Sequence, residues 1–199
     1  MSLVQTHLLL IRHGQTPWNA AGRWQGHADP GLTPLGLDQA EQRAESMARE
    51  THKPWSQIVS SDLKRAVETA SAIARALRLP IETDIRLRER DVGSWSGLTR
   101  AEIELRDRET LLAFETGEAT IRPGGGESRI EIQQRAESFV RDLAARRAGE
   151  HVIVVTHLGV IRALAPGAEP KNAEGVPIIA EEIGLRNPAE LTGREGGAL

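Results

Sequence analysis

Short apolar runs alternate with longer segments of helical periodicity along most of this chain. Each run is only a few residues long and rich in Leu, Ile or Val, as buried β-strands are. The three clearest runs are residues 7–12, 57–60 and 152–156. Apolar residues recur at helical spacing in the segments 34–49, 62–77 and 129–148. This alternation predicts an α/β fold: a three-layer α/β/α sandwich with a mostly parallel central sheet.

Residues that cap helices precede the helical segments. Ser, Thr and Asp side chains accept hydrogen bonds from the free N–H groups of a first helical turn. Such residues stand at Thr33, Asp62, Thr99 and Ser128. Glu102, three residues after Thr99, completes a capping-box pattern. The glycine run 124–126 is expected to form a turn, and the run 176–180 to supply the last strand if one is present.

The length and composition of the chain indicate its domain organisation and limit the partners that it can bind. With 199 residues, of which 39% are hydrophobic, it suits one domain over residues 1–199. The motif-bearing part is 7–165, and residues 182–199 are expected to form a loose tail. A net charge of −3 argues against nucleic-acid and acidic-membrane binding. The absence of cysteine excludes disulfides, thiolate catalysis and Cys-ligated zinc, and it fits a cytoplasmic location.

Polar residues stand at the ends of the three predicted strands. The first strand ends in Arg12 and His13, the second leads through a Ser-Ser-Asp sequence to Arg65, and the third ends in His157. Ligands of a parallel sheet gather outside the carboxyl ends of its strands. We therefore expect these four side chains to meet in one pocket, joined by the carboxylate of Glu89.

This set of side chains suits phosphoryl transfer. Arginine binds a phosphate dianion through a planar, permanently charged fork. A neutral imidazole can attack phosphorus, and a second histidine can hold the oxygens on which charge develops. A carboxylic acid can protonate the departing alkoxide. No close pair of His or Asp ligands at helical spacing supports a metal site, so we predict neither a metal nor a cofactor.

Other interpretations of these residues remain open at this stage. His13 or His157 alone would be taken for a structural histidine, and Arg65 for part of a solvated helix face. Glu89 lies in the mixed charge run 86–91, which is typical of a surface, and Asp91 is a rival for the proton donor. The glycine run 124–126 lacks the Lys-Ser/Thr ending of a phosphate-binding loop.

Several sequence blocks, in one order, resemble the histidine phosphatase superfamily, branch 1, which is phosphoglycerate mutase-like. Residues 10–16 read Leu-Ile-Arg-His-Gly-Gln-Thr and are followed by Trp18-Asn19. The other matching blocks are 23–26, 32–36, 60–63 with Arg65-Ala66 and Thr69-Ala70, 87–89 with Gly93, Trp95 and Gly97, 123–128, and 154–157. The resemblance covers about 160 residues, from His7 to roughly Ala165.

The resemblance implies a phosphoglycerate mutase-like fold and a role for each matching residue. His13 would be the nucleophile, and Glu89 the proton donor that later activates water. The residues implied to bind the phosphoryl group are Arg12, Arg65, His157 and Asn19. Thr16, Gln25 and Gly26 are implied to line the substrate side.

The chain departs from the family pattern at a few positions. Leu158 stands where a glycine often follows the second histidine, and Ser96 replaces a common acidic residue. The run 124–126 has one glycine more than the usual pair, and the usual spacing of elements is lost after Ala165. We expect these differences to alter the substrate wall more than the phosphate pocket.

The sequence therefore predicts a metal-independent phosphatase that hydrolyses small phosphomonoesters through a phosphohistidine on His13. The partner is a small phosphorylated metabolite of unidentified structure, and a homodimer is left open. One alternative is a cofactor-dependent phosphotransferase of the phosphoglycerate mutase type, which needs the same pocket. Such mutases usually carry a longer insertion after the acid loop and a longer C-terminal region. A non-catalytic phospho-ligand binder is the third hypothesis, although a binder has no need of Glu89.

Overall fold

Five strands form a single sheet in the computed structural model, which describes residues 4–50 and 54–183. The strands are β1 (His7–Arg12), β2 (Trp55–Ser60), β3 (Ile81–Thr83), β4 (His151–Thr156) and β5 (Gly175–Ile179). Their order is β3-β2-β4-β1-β5. The first four are parallel, and β5 runs antiparallel to β1. The prediction of a mostly parallel central sheet is confirmed.

Helices cover both faces of this sheet. They are α1 (Pro17–Ala20), α2 (Pro34–Arg49), α3 (Lys64–Leu77), α4 (Arg100–Arg106), α5 (Arg108–Glu115), α6 (Arg129–Arg146) and α7 (Leu158–Leu164). Buried residues of α2 and α3 share one hydrophobic cluster with the sheet, and those of α6 and α7 share another. The three-layer α/β/α arrangement is confirmed. No helix within the described residues is long and apolar enough to cross a membrane.

Strand β4 shows why the sheet is buried on both sides. Side chains alternate between the two faces of a strand. Ile153 and Val155 accordingly belong to the cluster with α2 and α3, whereas Val152 and Val154 belong to the cluster with α6 and α7. All four are fully buried. A continuous apolar run is what a central parallel strand requires.

Three of the four predicted helix caps are present, and the fourth prediction was wrong. The hydroxyls of Thr33, Thr99 and Ser128 accept N–H groups of α2, α4 and α6. The carboxylate of Asp62 does not cap α3, because it accepts hydrogen bonds from Arg88, one of them at 2.8 Å. Asp29 from a distant loop accepts the first N–H groups of α3 instead.

The last strand lies where the sequence places it. Strand β5 pairs with β1 at the edge of the sheet, where Pro177 is tolerated. Residues 182–199 were expected to be a loose tail. Glu182 instead ends a 3₁₀ turn, and Ile183 is buried in the core at 8% exposure. Residues 184–199 lie outside the described part of the chain.

A tight backbone contact fixes the loop that follows β1. A Cβ atom on Gly36 of α2 would lie 2.1 Å from the carbonyl oxygen of Gln15, and one on Gly14 would lie 2.4 Å from the carbonyl oxygen of Gly36. Distances this short exclude any side chain. The two glycines therefore let α2 pack directly against the segment that carries His13.

Replacing Gly36 with alanine should lower the free energy of unfolding by about 1–3 kcal/mol, because the backbone must move apart. Intrinsic helix propensity alone would favour alanine by roughly 0.5–1 kcal/mol. Urea denaturation measures the free energy of unfolding of Gly36→Ala. The control is Gln42→Ala at an exposed position of α2, which changes helix propensity without affecting this contact. A stabilised Gly36→Ala variant would contradict this view of the contact.

Candidate active site

The ends of three parallel strands bring the predicted side chains together. The register pairs Arg12 of β1 with Thr156 of β4, and Ser60 of β2 with Val155. The rings of His13 and His157, which follow these strand ends, lie 5.1 Å apart. A cavity of about 670 Å³ opens beside them. Arg12, His13, Arg65 and Glu89 all line this cavity, whereas His157 is fully buried behind it and is not a lining residue.

His13 is buried and held in one tautomer. Its Nδ1 atom lies 2.7 Å from the carbonyl oxygen of Gly14. A carbonyl can only accept, so Nδ1 carries the proton and Nε2 keeps its lone pair. Burial lowers the pKa of His13 well below its usual value, and the charges of Arg65 and Arg12 lower it further against the opposing Gly14 hydrogen bond. The imidazole is therefore neutral at pH 7, with a nucleophilic nitrogen available.

His157 is oriented in a complementary way. Its Nε2 atom lies 2.9 Å from the hydroxyl oxygen of Ser61, which accepts the N–H of Leu63 at 3.3 Å. A serine hydroxyl can donate as well as accept, so this contact is compatible with a ring proton on Nδ1. Burial, followed by the positive charge of Arg65, holds the pKa of His157 well below its usual value. The ring is thus neutral, and its buried Nδ1 has no partner among the described residues.

Two arginines carry the positive charge of the site. Arg65 is fully buried and donates to the carbonyl oxygens of Gly26 and Ala28, each at 2.8 Å, and to Asp29 at 3.2 Å. Arg12 donates to Pro170 at 3.1 Å. Burial lowers the pKa of both arginines and the Glu89 carboxylate opposes that effect, but a guanidinium stays protonated at neutral pH.

Several buried side-chain nitrogen atoms of the cluster have no hydrogen-bond partner in the described part of the chain. Within the described residues, Nε of Arg12, Nε of Arg65 and Nδ1 of His157 have no hydrogen-bond partner. Leaving a buried donor unpaired costs about 1–3 kcal/mol. A bound tetrahedral anion would supply oxygen acceptors for such donors. The arrangement therefore suits an oxyanion such as a phosphoryl group.

Glu89 is held against the start of α7 by a residue that the sequence analysis missed. The carboxylate accepts the N–H of Arg90 at 2.8 Å and that of Gly159 at 3.1 Å. A Cβ atom on Gly159 would lie 2.2 Å from Oε1 of Glu89. A side chain at 159 would therefore displace the carboxylate. The signal in the sequence is a glycine in the first turn after the strand-end histidine, but its contact with Glu89 spans 70 residues.

The backbone of the Glu89 loop is fixed from the outside. The carbonyl oxygen of Glu89 accepts hydrogen bonds from His27 at 2.9 Å and from Arg135 at 3.0 Å. Arg135 is held in turn by two hydrogen bonds to the carboxylate of Glu127, at 2.7 and 2.8 Å. These contacts tie the loop to α6 and position the carboxylate of Glu89 within the cavity.

The glycine run forms a turn, as expected, and packs against the loop that contains Asp91. A Cβ atom on Gly126 would lie 2.1 Å from the carbonyl oxygen of Asp91, and one on Gly124 would lie 2.3 Å from that of Val92. The carboxylate of Asp91 accepts the N–H of Gly93 at 2.9 Å, and Asp91 is not among the cavity-lining residues. This placement favours Glu89 over Asp91 as the acid.

Asn19, implied to bind the phosphoryl group, and the three residues implied to line the substrate side differ in position. Asn19, Gln25 and Gly26 line the cavity. Thr16 is fully buried and does not. Its hydroxyl lies 3.1 Å from the side-chain oxygen of Asn19 and 2.9 Å from that of Gln25. Thr16 therefore orients two lining residues rather than facing the cavity itself.

The segment after Ala165 contacts the phosphate-binding cluster, contrary to our expectation that it would mainly affect the substrate wall. Asn172 donates to the carbonyl oxygen of His13 at 2.9 Å and to the side-chain oxygen of Asn19 at 3.4 Å. Pro170 accepts from Arg12. The oxygen of Asn19 also accepts the N–H of Thr16 at 3.1 Å, which leaves its amide nitrogen for a ligand.

No cluster of three or more His, Cys, Asp or Glu side chains within residues 4–50 and 54–183 could hold a metal ion.

The lowered pKa values predict how the site responds to acid. Side-chain NMR of labelled histidine should show His13 and His157 neutral well below pH 6.5, with His13 protonated on Nδ1. In the unfolded chain, His13 and His157 bind protons once the pH falls below the ordinary histidine pKa. In the native state they stay neutral at that pH. Stability should therefore fall as the pH drops below about 6.5. Protonation of either ring near that pH in the folded protein would contradict this prediction.

Comparison with known proteins agrees with the geometry. The family model of the histidine phosphatase superfamily (branch 1) matches residues 8–179. The chain is 42% identical over 161 residues to the metal-independent phosphoserine phosphatase of Arabidopsis thaliana, which covers 80% of this chain and 67% of that protein. It is 39% identical over 165 residues to phosphoglycerate mutase-like protein 4 of the same plant, covering 82% and 71%.

Solved structures show the same likeness. The native structure of mycobacterial glucosyl-3-phosphoglycerate phosphatase superposes with a TM-score of 0.79 at 34% identity, covering 87% of this chain and 89% of that one. The five-stranded sheet of this chain, with helices on both faces, matches structures of this phosphoglycerate mutase-like kind. Sequence and fold together show that this chain belongs to branch 1 of the histidine phosphatase superfamily.

Proposed function

We propose that the protein is a metal-independent phosphatase that hydrolyses small phosphomonoesters through a phosphoryl group carried on His13. The observation that carries the proposal is the neutral His13, whose Nε2 lone pair lies beside buried nitrogen atoms that have no partner among residues 4–50 and 54–183. Phosphomonoester hydrolysis is also the activity of the relatives named as phosphatases.

In the first step, Nε2 of His13 attacks phosphorus in line with the ester oxygen. The P–O bond breaks, its electron pair leaves with the alkoxide, and Glu89 transfers a proton to that oxygen. Arg12, Arg65 and His157 hold the phosphoryl oxygens while charge redistributes between them. The products are a free alcohol and phosphohistidine.

In the second step, water attacks the phosphohistidine. Glu89, now a carboxylate, removes a proton from the water as its oxygen bonds to phosphorus. The P–N bond breaks and its electron pair returns to Nε2, which restores the neutral imidazole. The hydrogen bond from Nδ1 to Gly14 keeps the ring in position throughout both steps.

Two alternatives receive less support. A phospho-ligand binder has no use for a carboxylate held in the cavity by two backbone N–H groups, as Glu89 is. The mutase alternative shares the pocket and has a relative named for its likeness to mutases. It would convert 3-phosphoglycerate to 2-phosphoglycerate with little free phosphate, whereas a phosphatase releases phosphate.

Other expectations from the sequence stay predictions. These are the cytoplasmic location, the single domain, the homodimer, the lack of a cofactor, and the absence of nucleic-acid and membrane partners. The small phosphorylated metabolite as substrate is a proposal that rests on the activity above and on relatives named as phosphatases of such compounds.

Replacing His13 with alanine should reduce kcat with p-nitrophenyl phosphate by at least roughly a thousandfold, because the nucleophile is lost. EDTA should leave the wild-type rate unchanged. His7→Ala is the matched control, because His7 stands at the opposite end of the same strand. Full activity in the His13 variant, or loss of activity with EDTA, would rule out the proposal.

Replacing Gly159 with alanine should displace Glu89 and impair leaving-group protonation. For an alkyl phosphate, kcat/KM should fall by about 100-fold or more. For p-nitrophenyl phosphate the loss should be much smaller, because that leaving group departs without a proton. Since kcat/KM reports transfer to His13 alone, the later hydrolysis does not obscure the comparison. Ala163→Gly is the control for a change in the stability of α7. Equal losses of kcat/KM for both substrates in Gly159→Ala would contradict the role of Glu89.

A further inference from the structure

The cavity extends well beyond the phosphate-binding cluster. Its volume of about 670 Å³ lies within the range of roughly 300–1,000 Å³ that holds whole small-molecule ligands. In the proposed reaction the phosphoryl group would occupy only the end formed by Arg12, His13 and Arg65. The remaining space must therefore receive the leaving alcohol, and its lining decides which alcohols fit.

Large apolar side chains make up much of that lining. They are Trp18, Trp24, Val92, Phe114 and Leu158. The chain has few aromatic residues, at 3% of its length, yet three of them face this one cavity. Aromatic rings offer flat apolar surface at little cost in side-chain entropy.

The aromatic wall is held in place by its own packing. The ring of Trp24 meets those of Trp95 and Phe114 edge to face, with centroids 5.3 and 5.1 Å apart. Trp18 packs against Gly97, where an added Cβ atom would lie 3.3 Å from the indole. Edge-to-face contacts of this kind fix ring orientation. The wall is therefore formed before any substrate arrives.

Charged groups in the lining are already engaged by the protein. Three arginines are each held by a carboxylate: Arg23 by Glu102 at 3.0 Å, Arg100 by Glu115 at 2.6 Å, and Arg162 by Glu169 at 2.7 Å. The guanidinium of Arg90 lies over the Phe114 ring, 5.1 Å from its centroid. A second anionic group on the substrate would have to compete with these carboxylates.

We propose that this wall selects phosphomonoesters of uncharged alcohols with a flat apolar face over short phosphorylated acids. The inference rests on the proposed phosphatase function and specifies the substrate class of the same site. The apolar face would lie against Trp18, Trp24 and Phe114, while the phosphoryl group reaches His13. Burying such a face replaces its contact with water by contact with the rings.

The test compares kcat/KM for 2-phenylethyl phosphate, ethyl phosphate and phosphoserine, measured by phosphate release. The first two have leaving alcohols of similar acidity, so they differ mainly in apolar surface. Burial of a phenyl ring should raise kcat/KM at least about tenfold over ethyl phosphate. Phosphoserine should be slower than 2-phenylethyl phosphate. Equal rates for the two alkyl esters, or a preference for phosphoserine, would overturn the proposal.

Variants of the wall link this preference to particular residues. Trp18→Ala and Phe114→Ala should each lower the ratio of 2-phenylethyl to ethyl phosphate by about fivefold or more. Leu112→Ala is the matched control, because Leu112 is exposed on the same helix as Phe114 and should leave the ratio unchanged. An unchanged ratio in both folded wall variants would refute the assignment. If wild type releases phosphate from none of the three esters, the phosphatase proposal itself fails.

Discussion

Burial of two histidines beside Arg65 and Arg12 is the constraint on which the site depends. A protonated histidine there would be desolvated and would face the positive charge of Arg65, to which Arg12 adds at His13, so both imidazoles stay neutral. Neutrality is what the chemistry needs, because only a neutral imidazole has a lone pair for phosphorus. The same burial leaves side-chain nitrogen atoms without a partner in the part of the chain that the structure describes, and a phosphoryl group can satisfy them. Charge repulsion and ligand binding are therefore two results of one arrangement.

The surrounding fold stabilises this arrangement, which is unfavourable by itself because charged and polar groups are buried. Arg65 is held by two carbonyl oxygens and Asp29, and Asp29 also accepts the first N–H groups of α3. Asn172 and Pro170 hold the segment of Arg12 and His13 from the other side. Gly14 and Gly36 allow α2 to pack directly on that segment. Each catalytic side chain is consequently fixed by contacts from a different part of the chain.

The sequence predicted those features that depend on local pattern. Apolar runs of strand length and their polar ends were sufficient to place His13, Arg65 and His157 at one edge of a parallel sheet. Caps such as Thr99 and Ser128 were predictable because their partners lie three residues away. The cap supplied by Asp29 was not, since its partners are more than thirty residues distant and Asp62 was a plausible local candidate. The contacts of Gly159 and Asn172 were missed for the same reason, because tertiary packing creates them.

The central claim is that Nε2 of His13 carries the phosphoryl group. It is tested most directly by quenching the enzyme in alkali during turnover and examining the trapped protein by ³¹P NMR and peptide mass spectrometry. The account predicts phosphohistidine at residue 13, with phosphorus bonded to Nε2, because Nδ1 is committed to Gly14. Phosphorus on Nδ1, on another residue, or on no residue during rapid turnover would contradict it.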